Sequence, residues 1–121
     1  MKIQHYRELI VWQKAMQLVK EIYALTKKLP KEELYGLSNQ MQRAAVSIPS
    51  NIAEGQARGG AKEFAQFLKI ASGSKAELQT QLLICIDIGY LKEPDINNAM
   101  NLSEEVGKML YSLMKSVNSS Q

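Results

Sequence analysis

The chain has 121 residues, a formal net charge of +3, 45% hydrophobic residues and a single cysteine. That length suits one domain with a core of its own, and the lone Cys85 excludes an internal disulfide and leaves too few thiols for a zinc or iron–sulfur centre. The longest apolar run, Leu82 to Ile86, is far short of the ~20 residues of a membrane span, and MKIQHYRELIVWQK has no apolar h-region, so the expectation is a cytoplasmic protein that does not touch a membrane.

A first helix is predicted over residues 7–29. Leu9, Trp12, Met16, Val19 and Tyr23 step by three and four, and Pro30 closes the run. With Leu9 as heptad position a, Ala15 and Ile22 add apolar surface at g, and Val11, Leu18 and Leu25 at c. The apolar arc then reaches about 160°, wider than the ~100° stripe that faces one core. The surplus predicts a subunit interface through Val11, Leu18 and Leu25. Lys14, Lys20, Lys27 and Lys28 fall at e and f as a basic flank. Through Lys31 the chain has seven basic residues against two acidic ones, a balance of +5; the remainder has eight against ten, or −2. Such asymmetry suits an anionic partner, and equally a solvated helix face.

A second helix is predicted over 38–55, with Ser38 as N-cap, Met41, Ala44, Ala45, Ile48 and Ile52 as its apolar row, Gly55 as the residue past its end and a bend at Pro49. After GQARGG a third helix spans 61–88, its inward row formed by Phe64, Phe67, Leu68, Ala71, Leu78, Leu82 and Cys85, with Gly89 as the left-handed cap. Arg58 and Lys62 flank the start of this helix, where free N–H groups can receive a phosphate. The fourth helix covers 94–117, opening on Pro94 and Asp95, and the terminal SVNSSQ is expected to fray. Short connections make neighbours antiparallel, so the predicted fold is an all-α up-down-up-down four-helix bundle in one domain, residues 1–121.

RAAVSIPSNIAEG, residues 43–55, places Arg43, Ser47, Asn51 and Glu54 in one polar row. Folding about residues 58 and 59 brings Arg43 level with Ser74 and near Glu77, and Asn51 near Gln66 and Phe67. A buried guanidinium needs a partner, so an Arg43–Glu77 pair completed by Ser47, Asn51 and Ser74 is expected. The competing functions for this row are an acid/base site and the lining of an oligomer channel. His5, the single histidine, has no imidazole partner and is expected to be exposed; Cys85 within LLICIDI is expected to be a buried, inert thiol. Trp12 and Tyr23 are placed in the core or an interface. Neither a metal nor another cofactor is implied.

QMQRAAVSIPSNIAEGQAR, EFAQFLKIASGSKAELQTQLL and LIVWQKAMQLVKEIYALTKKLP together resemble the signature of the 23S ribosomal-RNA intervening-sequence protein family. The resemblance covers roughly residues 6 to 91. It implies a bacterial, cytoplasmic four-helix bundle that assembles as a ring-shaped homopentamer and has no enzymatic activity. Some members are encoded within insertions in 23S rRNA genes, and related accessory proteins engage a reverse transcriptase and nucleic acid. The expected function is a homo-oligomeric bundle binding RNA or DNA through a basic outer surface. The alternative is a protein-binding adaptor without direct nucleic-acid contact.

Overall fold

A computed structural model describes residues 5–119. Lys2, counted in the N-terminal charge, and Ser120 and Gln121 of the expected frayed end lie outside the described residues. The four helices are α1 (Ile10–Thr26), α2 (Leu37–Ala57), α3 (Ala61–Asp87) and α4 (Glu93–Ser119), with short 3-10 turns at Tyr6–Glu8 and Lys31–Glu33. No strand occurs among the described residues. α4 continues through Ser119, two residues beyond the predicted limit.

Pairs of contacts fix the helix directions. Between α2 and α3, Ser47 meets Ser74 and Met41 meets Cys85. Between α1 and α4, Lys14 meets Glu105 and Lys28 meets Asp95. Between α3 and α4, Gln79 meets Ser103 and Lys75 lies against Gly107. In each set one number rises as the other falls, so each of these neighbours is antiparallel and the order around the bundle is α1, α2, α3, α4.

The core is built from one row per helix: Val11, Ala15, Leu18, Ile22 and Leu25; Met41, Ala44, Ala45, Ile48 and Ile52; Leu68, Ala71, Leu78, Leu82 and Cys85; Ile96, Ala99, Val106, Leu110 and Leu113. On α1 the two predicted faces are exchanged. Val11, Leu18 and Leu25, predicted as an oligomer interface, are 4%, 0% and 5% exposed inside the protomer. The row expected inside turns outward, with Met16 and Tyr23 exposed and Leu9, Trp12 and Val19 half-buried at the rim of the core. Ala15, with no exposed surface, explains the choice: a small residue lets α1 approach its neighbours more closely than a row led by Trp12 and Tyr23 can.

The helix ends use different groups from those predicted. Ser38 is buried inside the first turn of α2; the N-cap is Gly36, and the Glu33 carboxylate accepts the Leu37 N–H at 3.0 Å and the Tyr90 hydroxyl at 2.8 Å. These two hydrogen bonds, led by that from Leu37, hold the Glu33 carboxyl below its ordinary range. At the start of α4 the Asp95 side chain accepts the Lys92 N–H at 2.9 Å while its own N–H returns to the Lys92 carbonyl, a reciprocal cap. Gly89 takes the left-handed conformation expected of it, with φ of 84°, and the Tyr90 and Leu91 N–H groups fold back to the Cys85 carbonyl.

Gly55 does not end α2. The helix continues to Ala57, and Gly59 with φ of 85° makes the turn. Gly55 is buried mid-helix, where a Cβ would stand 2.6 Å from the Phe67 Cβ and 3.1 Å from the Phe64 ring. Here the α2 backbone lies directly against the Phe64 and Phe67 side chains of α3. Gly55→Ala gains about 1 kcal/mol of helix propensity but forces the two helices apart, an overpacking cost of about 1–3 kcal/mol. The expected result is a lower midpoint in thermal or urea unfolding; an unchanged or raised midpoint would show that α2 and α3 are loosely packed here.

Candidate nucleic-acid interface

The polar row of α2 does not converge on a buried centre. At ~100° per residue, Ser47 and Asn51 sit on the edge of the core row facing α3, whereas Arg43 and Glu54 are turned further out. Arg43, Glu54 and Glu77 are all exposed. Among the described residues no hydrogen bond or ion pair joins Arg43 to Glu77; Glu77 instead accepts the Gln81 amide at 3.3 Å. The expected buried pair is therefore corrected. Its premise failed by one helical turn, because Ser47 and not Arg43 is level with Ser74: the turn between α2 and α3 forms at Arg58–Gly60, and α2 extends past Gly55.

What the seam contains is a short hydrogen-bond chain. The Ser47 and Ser74 hydroxyls meet at 2.8 Å, and the Asn51 amide donates to the Ser47 hydroxyl at 2.9 Å and to the Ser47 carbonyl at 2.7 Å. Serines facing each other across the seam are small, and each hydroxyl finds a partner. This arrangement sets register and offers no nucleophile–base pair: a serine hydroxyl needs a base within reach to attack anything, and its neighbours here are another hydroxyl and an amide.

The six predicted phosphate contacts separate into two groups. Lys14 pairs with Glu105 at 3.3 Å, and Lys28 with Asp95 at 3.3 Å, both bridging α1 to α4. Arg58 binds Glu54 at 2.8 Å and Glu63 at 3.5 Å and lies 5.1 Å from the Phe67 ring centre. Its hydrogen bond to Glu54 leads the forces that raise its pKa further. The N-terminus of α3 is thus bordered by a neutralised arginine, not a free one. Lys20, Lys27 and Lys62 are exposed and make no ion pair among the described residues. The basic flank of α1 is not continuous: Lys14 and Lys28 lean toward α4, while Lys20 and Lys27 face outward.

Cys85 is buried, donates to the Met41 sulfur at 3.7 Å, and has its thiol pKa pushed up first by burial and then by the charge on Glu33, as an inert core thiol should. His5, expected to be exposed, is half-buried: its Nδ1 accepts the Arg7 N–H at 3.2 Å and its ring lies 4.3 Å from that of Tyr6.

Two surface features were not singled out in the sequence. One is apolar: beyond Met16 and Tyr23, the exposed side chains Ile70, Ile84 and Ile88 lie along α3 on the flank toward α2. The other is the α3–α4 groove of about 580 Å³, lined by Lys75, Gln79, Glu104, Lys108 and Tyr111 among others. The signal for the groove was present as Lys108, Tyr111 and Lys115, three and four apart on one helix face; Lys75 joins them only once the register of α3 against α4 is known.

Four amphipathic helices, with small polar residues knitting one seam and the charges left outside, define a helical-bundle protein whose chemistry lies on its outer faces. The chain belongs to the 23S rRNA-intervening sequence protein family, whose sequence profile matches residues 7–112. A similar solved structure, with a TM-score of 0.81 and 27% identity over 88% of this chain and 99% of that one, is described as a protein with unknown function from the S23 ribosomal protein family of Bacteroides thetaiotaomicron. No curated protein matches the chain significantly.

The seam and the exposed row respond differently to truncation. Ser47→Ala removes the partner of the Ser74 hydroxyl, which is only 9% exposed, and is expected to cost about 1–2 kcal/mol in urea unfolding. Arg43→Ala is expected to cost less than ~0.5 kcal/mol, as exposed substitutions do. A loss of several kcal/mol from Arg43→Ala would restore the buried ion pair.

Proposed function

We propose that the protein is a non-enzymatic, cytoplasmic helical bundle that works as a homo-oligomer, a ring-like pentamer as in the family resemblance, and binds RNA or DNA through its basic outer surface. The observation that carries the reading is the exposed apolar row of α1: Met16 is 40% and Tyr23 44% exposed, although the bundle core is already filled by the other row of the same helix. Contiguous apolar surface left outside a filled core favours a partner. A ring needs two different patches, one to meet the other on the next copy. The α1 row and the Ile70, Ile84 and Ile88 row of α3, on opposite sides of α2, supply such a pair of patches. Cations repeated around a ring would multiply phosphate contacts, giving salt-sensitive binding with little dependence on base sequence.

A specific observation favours a second reading, an adaptor that binds a protein partner and leaves nucleic acid to it. Lys14, Lys28 and Arg58 are each engaged by a carboxylate. Surface pairs of this kind are weak enough for phosphate to displace, so they temper direct binding without abolishing it.

Two measurements bear on these readings. Met16→Glu and Tyr23→Glu are expected to lower the solution mass while keeping the helical circular-dichroism signal, because both side chains point away from the core. Binding of RNA and DNA is expected to fall by at least tenfold between about 50 and 200 mM salt and to weaken on charge reversal at Lys20, Lys27 and Lys62. An unchanged mass in both variants would remove the α1 row from the interface, and absence of nucleic-acid binding at low salt would leave the adaptor.

A further inference from the structure

The α3–α4 groove is bordered by a cluster of lysines around one exposed tyrosine. Lys108, Tyr111 and Lys115 follow one another along one face of α4. Lys75 comes from α3 and lies across the α4 backbone, its Nζ 3.0 Å from where a Gly107 Cβ would stand. With no side chain at Gly107, the lysine stem can cross α4 at close range and deliver its ammonium to the groove. Gln79 closes the neighbouring stretch by donating to Ser103 at 2.8 Å. Among the described residues, none of the three lysines makes an ion pair, even though Glu104 also lines the groove. Lys75 and Lys108 against the one carboxylate of Glu104, with Lys115 beside the lining residue Tyr111, leave the groove positive.

Tyr111 stands in that positive groove with 62% of its surface exposed. The Lys115 ammonium lies 5.7 Å from the ring centre. A contact of that kind at an exposed site is weak and easily given up. The ring is not among the side chains packed on the core, so most of it is open to a ligand. A flat aromatic face between ammonium groups matches one ligand chemistry in both of its parts: a base to lie on the ring and phosphates on either side of it. A free phosphate would use the lysines and not the ring. An acidic peptide would do the same.

We propose that the α3–α4 groove binds a single-stranded segment of nucleic acid, one base stacking on Tyr111 while Lys75, Lys108 and Lys115 hold the flanking phosphates. The inference rests on the nucleic-acid reading above and narrows it in two ways. It moves the contact from α1 to α3–α4, and it requires an unstacked base, which a duplex does not offer. The groove is on the opposite side of α3 from the Ile70, Ile84 and Ile88 row, so a ring formed through that row leaves the groove open to solvent.

The test uses the full-length protein and labelled single-stranded oligouridylate and oligothymidylate of about ten nucleotides, within the range one small module covers, followed by fluorescence anisotropy at low salt. Tyr111→Ala is expected to weaken binding by about 5- to 150-fold, the range that loss of one base–aromatic stack produces, while Tyr111→Phe keeps it within about twofold. Replacing Lys75, Lys108 or Lys115 by Gln should each flatten the dependence of log affinity on log salt by about 0.7. Circular dichroism checks that every variant remains folded, which the exposure of Tyr111 leads one to expect. Single strands bound with Tyr111→Ala unaffected, but weakened by Lys20→Gln and Lys27→Gln, would overturn this groove and leave the general reading standing. Duplex or polyglutamate bound as tightly as the single strand would overturn it as well. No binding of any nucleic acid would end both.

Discussion

Helix α1 has more apolar surface than one four-helix bundle can hide. Val11, Ala15, Leu18, Ile22 and Leu25 occupy the core, yet Trp12, Met16, Val19 and Tyr23 form a second row about a third of a turn away. Only one row can face the bundle axis. The choice goes to the row with Ala15, because close packing favours smooth, small-residue surfaces over aromatic ones. Everything about the outer surface follows from that choice. The bulky row is left at the rim, and the lysines divide between a pair that bridges to α4 and a pair that faces solvent.

The seam between α2 and α3 is closely packed, and the polar row of α2 divides along it. Gly55 admits Phe64 and Phe67 at a distance that no other residue would allow, and Ser47 and Ser74 meet two turns further along. Helices this close have no room between them for a guanidinium. Arg43 therefore goes to water, where an unpaired charge costs little, in preference to an interior where it would need a full set of partners. The Asn51 amide completes the chain of hydroxyls, so the Ser47, Ser74 and Asn51 side chains are all hydrogen-bonded.

Much of the fold was legible in the sequence. The four helices appear within a few residues of their predicted limits, because apolar periodicity, Pro30 and Gly89 are local signals that tertiary packing did not override. The α1 faces were not legible. Both rows are apolar, and periodicity alone cannot say which one the other helices accept. Gly55 and Gly59 show the same ambiguity, since either could end a helix and only the approach of Phe67 shows that Gly55 serves a contact. The Arg43–Glu77 expectation was lost through a four-residue error in register. The candidate groove was hidden for a related reason: Lys75 and Tyr111 are far apart in sequence, and no pattern within one helix unites them.

The proposed assembly requires the outer row of α1 to be a surface that another copy covers. Sedimentation velocity of the unaltered protein over a wide range of concentration measures this most directly. The predicted result is a discrete species at a whole-number multiple of the 13.6 kDa protomer, persisting on dilution. A single 13.6 kDa species at every concentration would contradict it.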